Sequence, residues 1–102
     1  MYSIILLGGE NMNYKIELLK NKIAEELRKL RAEKDLSLET VTNGINEKNG
    51  KVMLNIGTLT RYEKGACLQS LDKLMIILDF YEVKPLYFFN LVYENMYRSE
   101  ES

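Results

Sequence analysis

The side chains that most often carry out catalysis are scarce in this chain. It contains no His and a single Cys, Cys67, which excludes a His-based acid–base pair, a Cys–His nucleophile and a His/Cys metal site. The scattered glycines fit neither a dinucleotide-binding loop nor a Walker phosphate loop. The sequence therefore favours a binding protein over an enzyme, and it predicts neither a cofactor nor a metal.

The size and composition of the chain predict one globular domain. Its 102 residues are 46% hydrophobic and 28% charged, which is enough for a single core and too little for two domains. No apolar run approaches the roughly 18 residues of a membrane span. A lone Cys excludes an intramolecular disulfide. These features predict a cytoplasmic protein that does not cross a membrane.

Charge is unevenly distributed, although the net charge is only −1. Residues 20–65 carry ten Lys and Arg against seven Asp and Glu, a net +3. Residues 66–102 carry three against six, a net −3. The basic middle third allows a local positive face that would attract a polyanion.

Apolar periodicity predicts five helices with short connections. They cover about residues 13–34, 37–45, 55–64, 70–82 and 85–98. Ser37 and Asn55 are typical N-caps, and Pro85 suits the first position of a helix. Asn49-Gly50 indicates a type I′ turn, flanked by a small hairpin or a long loop. The result is an all-α domain over residues 13–98 with a polar, frayed tail at 99–102.

The N-terminal segment, residues 1–12, lies outside this helical pattern. Residues 1–7, MYSIILL, indicate a short apolar strand, and Gly8-Gly9 predicts a turn after it. Two interpretations stay open. The segment is either an edge strand or dimer arm, or a translated leader, because residues 8–12 can be encoded by a ribosome-binding site preceding a start at Met12.

The predicted helices can share one core that holds the third helix at an angle to the second. Glu63, near the end of the third helix, is expected to bind Arg31, and Gly65 is expected to turn the chain away in the left-handed conformation. The predicted core residues are Leu27, Leu30, Val41, Ile45, Leu59, Tyr62, Leu71, Leu74 and Ile77.

This arrangement resembles the Xre/Cro family of phage-repressor-like helix-turn-helix domains. Three segments carry the resemblance, at residues 27–41 (LRKLRAEKDLSLETV), 56–65 (IGTLTRYEKG) and 70–74 (SLDKL). The match spans about residues 20–90. It implies a five-helix, lambda-repressor-like fold whose third helix enters the major groove of DNA.

The chain departs from the family pattern at several positions. Leu38 stands where the family often has a phosphate-gripping Gln, and Thr42 replaces a small Ala. Gly57 leaves a base-facing position without a side chain. The connection between the second and third helices, residues 46–54, is longer than the usual tight turn.

The resemblance implies two sets of DNA contacts. Asn pairs with adenine and Arg with guanine, while the methyl groups of Ile and Thr contact thymine. The implied base-reading positions are Asn55, Ile56, Gly57, Thr58 and Arg61. The implied phosphate contacts are Ser37, Lys51, Thr60 and Lys64. Ser37 and Asn55 also have a purely structural interpretation as helix caps, and Arg61 as a solvated surface residue.

The last helix carries more aromatic residues than one core stripe needs. Exposed aromatic patches are typical of protein interfaces, so a homodimer is expected. A two-fold axis would place two third helices about 34–36 Å apart on a palindrome. The predicted interface residues are Tyr87, Phe88, Val92, Tyr93, Met96 and Tyr97. The alternative is that these aromatic residues lie in the core, which would then be larger than the other helices indicate.

Together these features predict a phage-like transcriptional regulator, a repressor that binds double-stranded DNA as a homodimer. The alternative is a protein-binding module, such as an antitoxin or an inhibitor, that uses the aromatic last helix. The net charge of −1, Leu38 and Gly57 favour this alternative.

Overall fold

The chain is all-helical in its computed structural model. The structure describes the backbone of residues 8–67 and 70–101, and the side chains of residues 12–67 and 70–98. Within these ranges there is no strand, and the five helices are α1 (Gly8–Glu33), α2 (Leu38–Asn49), α3 (Ile56–Glu63), α4 (Leu71–Tyr81) and α5 (Pro85–Glu101). The prediction of an all-α, five-helix architecture is confirmed. No helix of the described residues has both the length and the apolar character needed to cross a membrane.

The five helices enclose one hydrophobic core. The helix α1 packs against α3 and α5, and α2 packs against α3 and α4. The side chains that are at most 1% exposed come from every helix: Ala24, Leu27, Val41, Ile45, Leu59, Ile77, Leu78 and Phe88. Leu71 was expected in this core but is 66% exposed, because it is the first residue of α4 and lies at the uncovered end of the helix.

The start of α1 differs from the prediction. Gly8 and Gly9 lie in the first turn of the helix and form no turn between elements, so α1 begins before Asn13. Glycine is unfavourable in a helix interior, but the helix-compatible residues that follow extend the helix back to its N-terminal end. The strand predicted for residues 1–7 lies outside the described residues.

The end of α2 also differs from the prediction. The helix continues past Gly44 to Asn49, and Gly50 (φ 71°) closes it as a left-handed C-cap. The prediction of a small hairpin around Asn49-Gly50, one of the two alternatives, is therefore wrong. An Asn-Gly pair signals a left-handed residue, and both a type I′ turn and a helix C-cap use that conformation.

A single side chain organises the connection between α2 and α3. The Asn46 Oδ1 accepts hydrogen bonds from the backbone N–H groups of Met53 (2.7 Å) and Leu54 (3.2 Å), and its Nδ2 donates to the Leu54 carbonyl (2.9 Å). The Leu54 side chain is buried in the core, and Lys73 Nζ donates to the Met53 carbonyl. Hydrogen bonds from Asn46 of α2 and Lys73 of α4 therefore hold this loop, residues 50–55, in place.

The last two helices begin where the sequence predicts. Ser70 occupies the N-cap position of α4, Glu82 (φ 60°) ends that helix in the left-handed conformation, and Pro85 is the first residue of α5. The backbone of α5 stays helical to Glu101, so the helix extends past its predicted end at residue 98. Arg and Glu are good helix formers, so polarity alone does not end a helix.

Gly65 follows the end of α3 at a point where the chain lies against α1. Its φ of 73° is the left-handed conformation that the sequence predicts. A Cβ on Gly65 would lie 2.7 Å from Asn21 Oδ1 and 3.6 Å from the Lys20 carbonyl oxygen, both in α1. The turn after α3 is thus packed directly on α1.

Two alanine substitutions separate the strain of the left-handed backbone at Gly65 from the packing of Gly65 on α1. Gly50 has nearly the same φ of 71°, but a Cβ there would meet nothing within 4 Å. We expect Gly50→Ala to lower the free energy of unfolding by about 1–2 kcal/mol, the strain of a left-handed Ala. Gly65→Ala should lower it slightly further, because the Asn21 side chain of α1 must turn away from the new methyl group. Urea unfolding of both variants measures the difference, and equal losses would contradict the packing of Gly65 on α1.

Candidate nucleic-acid interface

The helix α3 is too short to be stable by itself, so its neighbours hold it in place. Asn55 caps its N-terminus, and the Asn55 Oδ1 accepts a hydrogen bond from the Thr58 N–H (2.8 Å). Its inner face consists of Leu59, Tyr62 and Glu63, which are all less than 9% exposed. Two of these are apolar and pack in the core, whereas the third is a buried carboxylate that needs a partner.

Arg31 of α1 is that partner, as the sequence predicts. Its Nε lies 2.9 and 3.0 Å from the two Glu63 carboxylate oxygens, and its Nη2 lies 2.9 Å from Oε1. The Arg31 Nη1 also donates to the Leu36 carbonyl (2.9 Å), between α1 and α2. Arg28 donates to the Glu63 backbone carbonyl. The hydrogen bond with Glu63 raises the pKa of Arg31, so the guanidinium stays charged.

The phenol of Tyr81 is buried beside this ion pair. Its hydroxyl has no hydrogen-bond partner within the described part of the chain. Burial raises the pKa of Tyr81 far above its usual range, and the negative charge of Glu63 adds to the shift. Tyr81 therefore stays neutral.

The outer face of α3 carries an exposed stripe of Gly57, Arg61 and Lys64. Their spacing of four and three residues places them on one side of the helix, opposite Leu59 and Tyr62. Neither Arg61 nor Lys64 forms an ion pair with a carboxylate of the described residues. The stripe is thus free to meet an external acceptor.

The loop that precedes α3 adds a third cation to this region. Lys51 is exposed and forms no ion pair within the described side chains, and the neighbouring Val52 is 80% exposed. Lys48, one turn earlier, is engaged in an ion pair with Asp79 (3.0 Å). Of these two lysines, Lys51 is the one available for a ligand.

Several of the residues predicted to contact DNA already make local hydrogen bonds. The Ser37 Oγ accepts from the Thr40 N–H (3.0 Å) and donates to the Thr40 hydroxyl (2.9 Å), as a helix cap. The Thr60 hydroxyl donates to the Ile56 carbonyl (2.7 Å). Because the Asn55 Oδ1 caps α3, its Nδ2 is the group that is left for a base. Thr58 is half-buried, whereas Ile56 is 47% exposed.

Sequence reasoning missed a shallow groove between α2, the loop 50–55 and the start of α3. Its volume is about 240 Å³, and its lining includes Glu39, Asn43, Val52, Asn55 and Ile56. Glu39 and Asn43 belong to α2, and in the sequence they are indistinguishable from ordinary polar residues on the solvent side of a helix. The signal that could have found it is Val52, an apolar residue in a polar turn segment.

The aromatic surface of α5 is smaller than predicted. Phe88 and Val92 are 1% and 2% exposed, so both belong to the core and neither is available to a second chain. Their spacing of four residues places them on the inner face of α5, which the sequence alone does not distinguish from an outer aromatic face. Met96 is half-buried and packs against the core.

Three of the predicted interface residues are exposed. Tyr87, Tyr93 and Tyr97 are 60%, 57% and 48% exposed. The Tyr93 hydroxyl donates to the Tyr97 hydroxyl (2.8 Å), and the two rings meet edge to face at 4.6 Å. Met12 and Ile16 of α1 are also exposed apolar residues. The exposed face of α5 is therefore aromatic at Tyr93 and Tyr97.

Neither a relative nor a metal cluster identifies the chemistry of these surfaces. Comparison of the chain with protein-family models, curated proteins and solved structures gave no match. Within the described residues, no three acidic or Cys side chains are grouped in a way that could hold a metal ion.

The Arg31–Glu63 pair provides a direct test of how α3 is held. We expect Glu63→Ala to lower the free energy of unfolding by about 3 kcal/mol, because it leaves Arg31 without its partner in a half-buried site. The double replacement Arg31→Met with Glu63→Leu should recover most of the loss, because no charge is left buried. Urea unfolding measures both values. Equal losses in the single and the double variants would contradict a coupled pair.

Proposed function

We propose that this chain is a DNA-binding transcriptional regulator of the Xre/Cro type, which inserts α3 into the major groove. One observation carries the proposal. The buried face of α3 is fixed to α1 and α2, while its opposite face presents Arg61 and Lys64 without any ion-pair partner among the described residues. A short helix held in this way is a rigid, positively charged projection.

The dimensions of this projection suit the major groove. An α-helix with its side chains is about 10–12 Å in diameter, and the major groove of B-DNA is about 12 Å wide. The preceding helix α2 packs on α3, as the first helix of a helix-turn-helix packs on the recognition helix. The net charge of −1 does not oppose this mode, because the attraction to phosphate depends on the local charge.

Each residue of the α3 surface has a chemical role in the proposal. Arg61 donates two hydrogen bonds to a guanine edge, and the Asn55 amide donates to a base acceptor. Lys51 and Lys64 bind phosphates on either side. Gly57, which has no side chain, lets the backbone of α3 approach the bases closely.

The proposed regulator acts as a homodimer through the exposed aromatic surface. Tyr93 and Tyr97, together with Met12 and Ile16 of α1, form the contact between the two copies. Two copies related by a two-fold axis read a palindromic operator. Bound at a promoter, such a dimer represses transcription by excluding the polymerase.

Selection of bound duplexes from a random DNA pool tests this proposal. We expect a palindromic site whose affinity falls steeply with salt, because bound phosphates release counterions. Arg61→Ala should weaken the selected site by about 1–3 kcal/mol for each half-site and relax its sequence preference. Fluorescence anisotropy at several salt concentrations measures these effects.

The control for this experiment is Arg98→Ala, which removes an exposed arginine from α5. Its affinity for the selected site should equal that of the wild type. No enriched sequence, or equal losses in Arg61→Ala and Arg98→Ala, would contradict DNA reading by α3.

Gly57 gives a second prediction, in which stability and binding change in opposite directions. A Cβ on Gly57 would meet only Asn55 Oδ1, at 3.4 Å, so Ala fits the free protein. Gly57→Ala should raise the free energy of unfolding by about 0.5–1 kcal/mol through helix propensity. It should weaken DNA binding, because the new methyl group lies between α3 and the bases. Thermal unfolding and anisotropy measure the two quantities, and unchanged affinity would contradict close approach at Gly57.

A protein-binding module is the second candidate function, and the exposed Tyr87, Tyr93 and Tyr97 favour it. An antitoxin or inhibitor of this kind would bind its partner through α5. The two candidates are distinguished by Arg61→Ala, which weakens DNA binding in the first case and leaves partner binding unchanged in the second.

A further inference from the structure

We propose that the groove between α2 and α3 reads a thymine methyl group through Val52 and Ile56, so that the loop 50–55 belongs to the DNA-reading surface. This inference rests on the proposed function. It goes beyond α3 because it assigns sequence specificity to a loop residue, Val52, that lies outside the helix.

The exposure of two apolar side chains at one groove is the first observation. Val52 is 80% exposed and Ile56 is 47% exposed, and both line the same groove of about 240 Å³. Exposing these side chains to water is unfavourable, and a thymine methyl would cover them.

The polar lining of the groove also matches base edges. Glu39 offers a carboxylate that can accept from a cytosine amino group, and Asn43 and Asn55 offer amides. The groove lining contains no Lys or Arg, so it is unsuited to phosphate. Lys51 directly precedes Val52 in the chain, so a cation is available next to the groove for a phosphate that flanks the bases.

The rigidity of the loop is the third observation. A contact that discriminates one methyl group requires a fixed position. The Asn46 side chain makes three hydrogen bonds to Met53 and Leu54, directly after Val52, and Leu54 is anchored in the core. Val52 is therefore presented on a structured loop.

Replacement of thymine by deoxyuracil tests the proposal, since it removes only the methyl group. Each thymine of the selected duplex is replaced in turn, and Kd is measured by anisotropy. We expect a symmetric pair of replacements to weaken wild-type binding by about three- to five-fold per half-site, the effect of one lost apolar contact. In Val52→Ala or Ile56→Ala, the same replacement should have a smaller effect, because the contact is already reduced.

The matched control is Leu86→Ala, which shortens a 73%-exposed apolar side chain on α5. It should leave the ratio of uracil to thymine affinity as in the wild type. Circular dichroism checks that each variant is folded. We expect all of them to fold, because Val52 and Ile56 are exposed.

The outcomes separate this inference from the proposed function. If the wild type selects a DNA site but no uracil replacement depends on Val52 or Ile56, the groove assignment is overturned and DNA binding by α3 stands. If the wild type selects no site, both fail. Binding of a peptide or protein at the groove, lost in Val52→Ala without any DNA binding, would identify a protein ligand instead.

Discussion

The carboxylate of Glu63 is the point at which α3 is fastened to the rest of the molecule. It is buried, and the Nε and Nη2 of Arg31 bind its two oxygens. The Nη1 of Arg31 also donates a hydrogen bond to the Leu36 carbonyl in the turn before α2. Because α3 has only eight residues, it depends on such contacts for its very formation. The same pair sets the position of α3 relative to α1 and α2, and therefore the direction in which Arg61 and Lys64 project.

The charged side chains fall into two groups, those that pair with each other and those that have no partner among the described residues. The cation of Arg31 and the carboxylate of Glu63 neutralise each other inside, and several α1 lysines pair with carboxylates one turn away. Lys51, Arg61 and Lys64 have no such partner among the described residues. Within the described part of the chain, Arg61 and Lys64 are therefore unpaired cations on the exposed face of α3, although the net charge of the protein is −1. This separation, and not the overall charge, is what the proposed DNA binding requires.

Much of this architecture could be predicted from local signals in the sequence. The caps at Ser37 and Asn55, the left-handed Gly65 and the Arg31–Glu63 pair were each indicated by residue type and spacing, and the structure has all four. The errors fall where one signal fits two structures. Asn49-Gly50 suits a hairpin turn and a C-cap equally, and the stripe of α5 does not reveal that Phe88 and Val92 face inward. The groove beside Val52 forms only when α2 and the loop pack together, so the sequence indicates it only indirectly, through an apolar residue in a polar turn segment.

The most direct test of the central claim is a nuclear magnetic resonance titration of the isotope-labelled chain with a short duplex at low salt. This measurement does not need a known operator, because non-specific binding uses the same charged surface. We expect the amide signals of residues 51–64 to shift, and those of α4 and the exposed face of α5 to stay in place. Shifts concentrated at Tyr87, Tyr93 and Tyr97, or no shifts at all, would contradict DNA binding through α3.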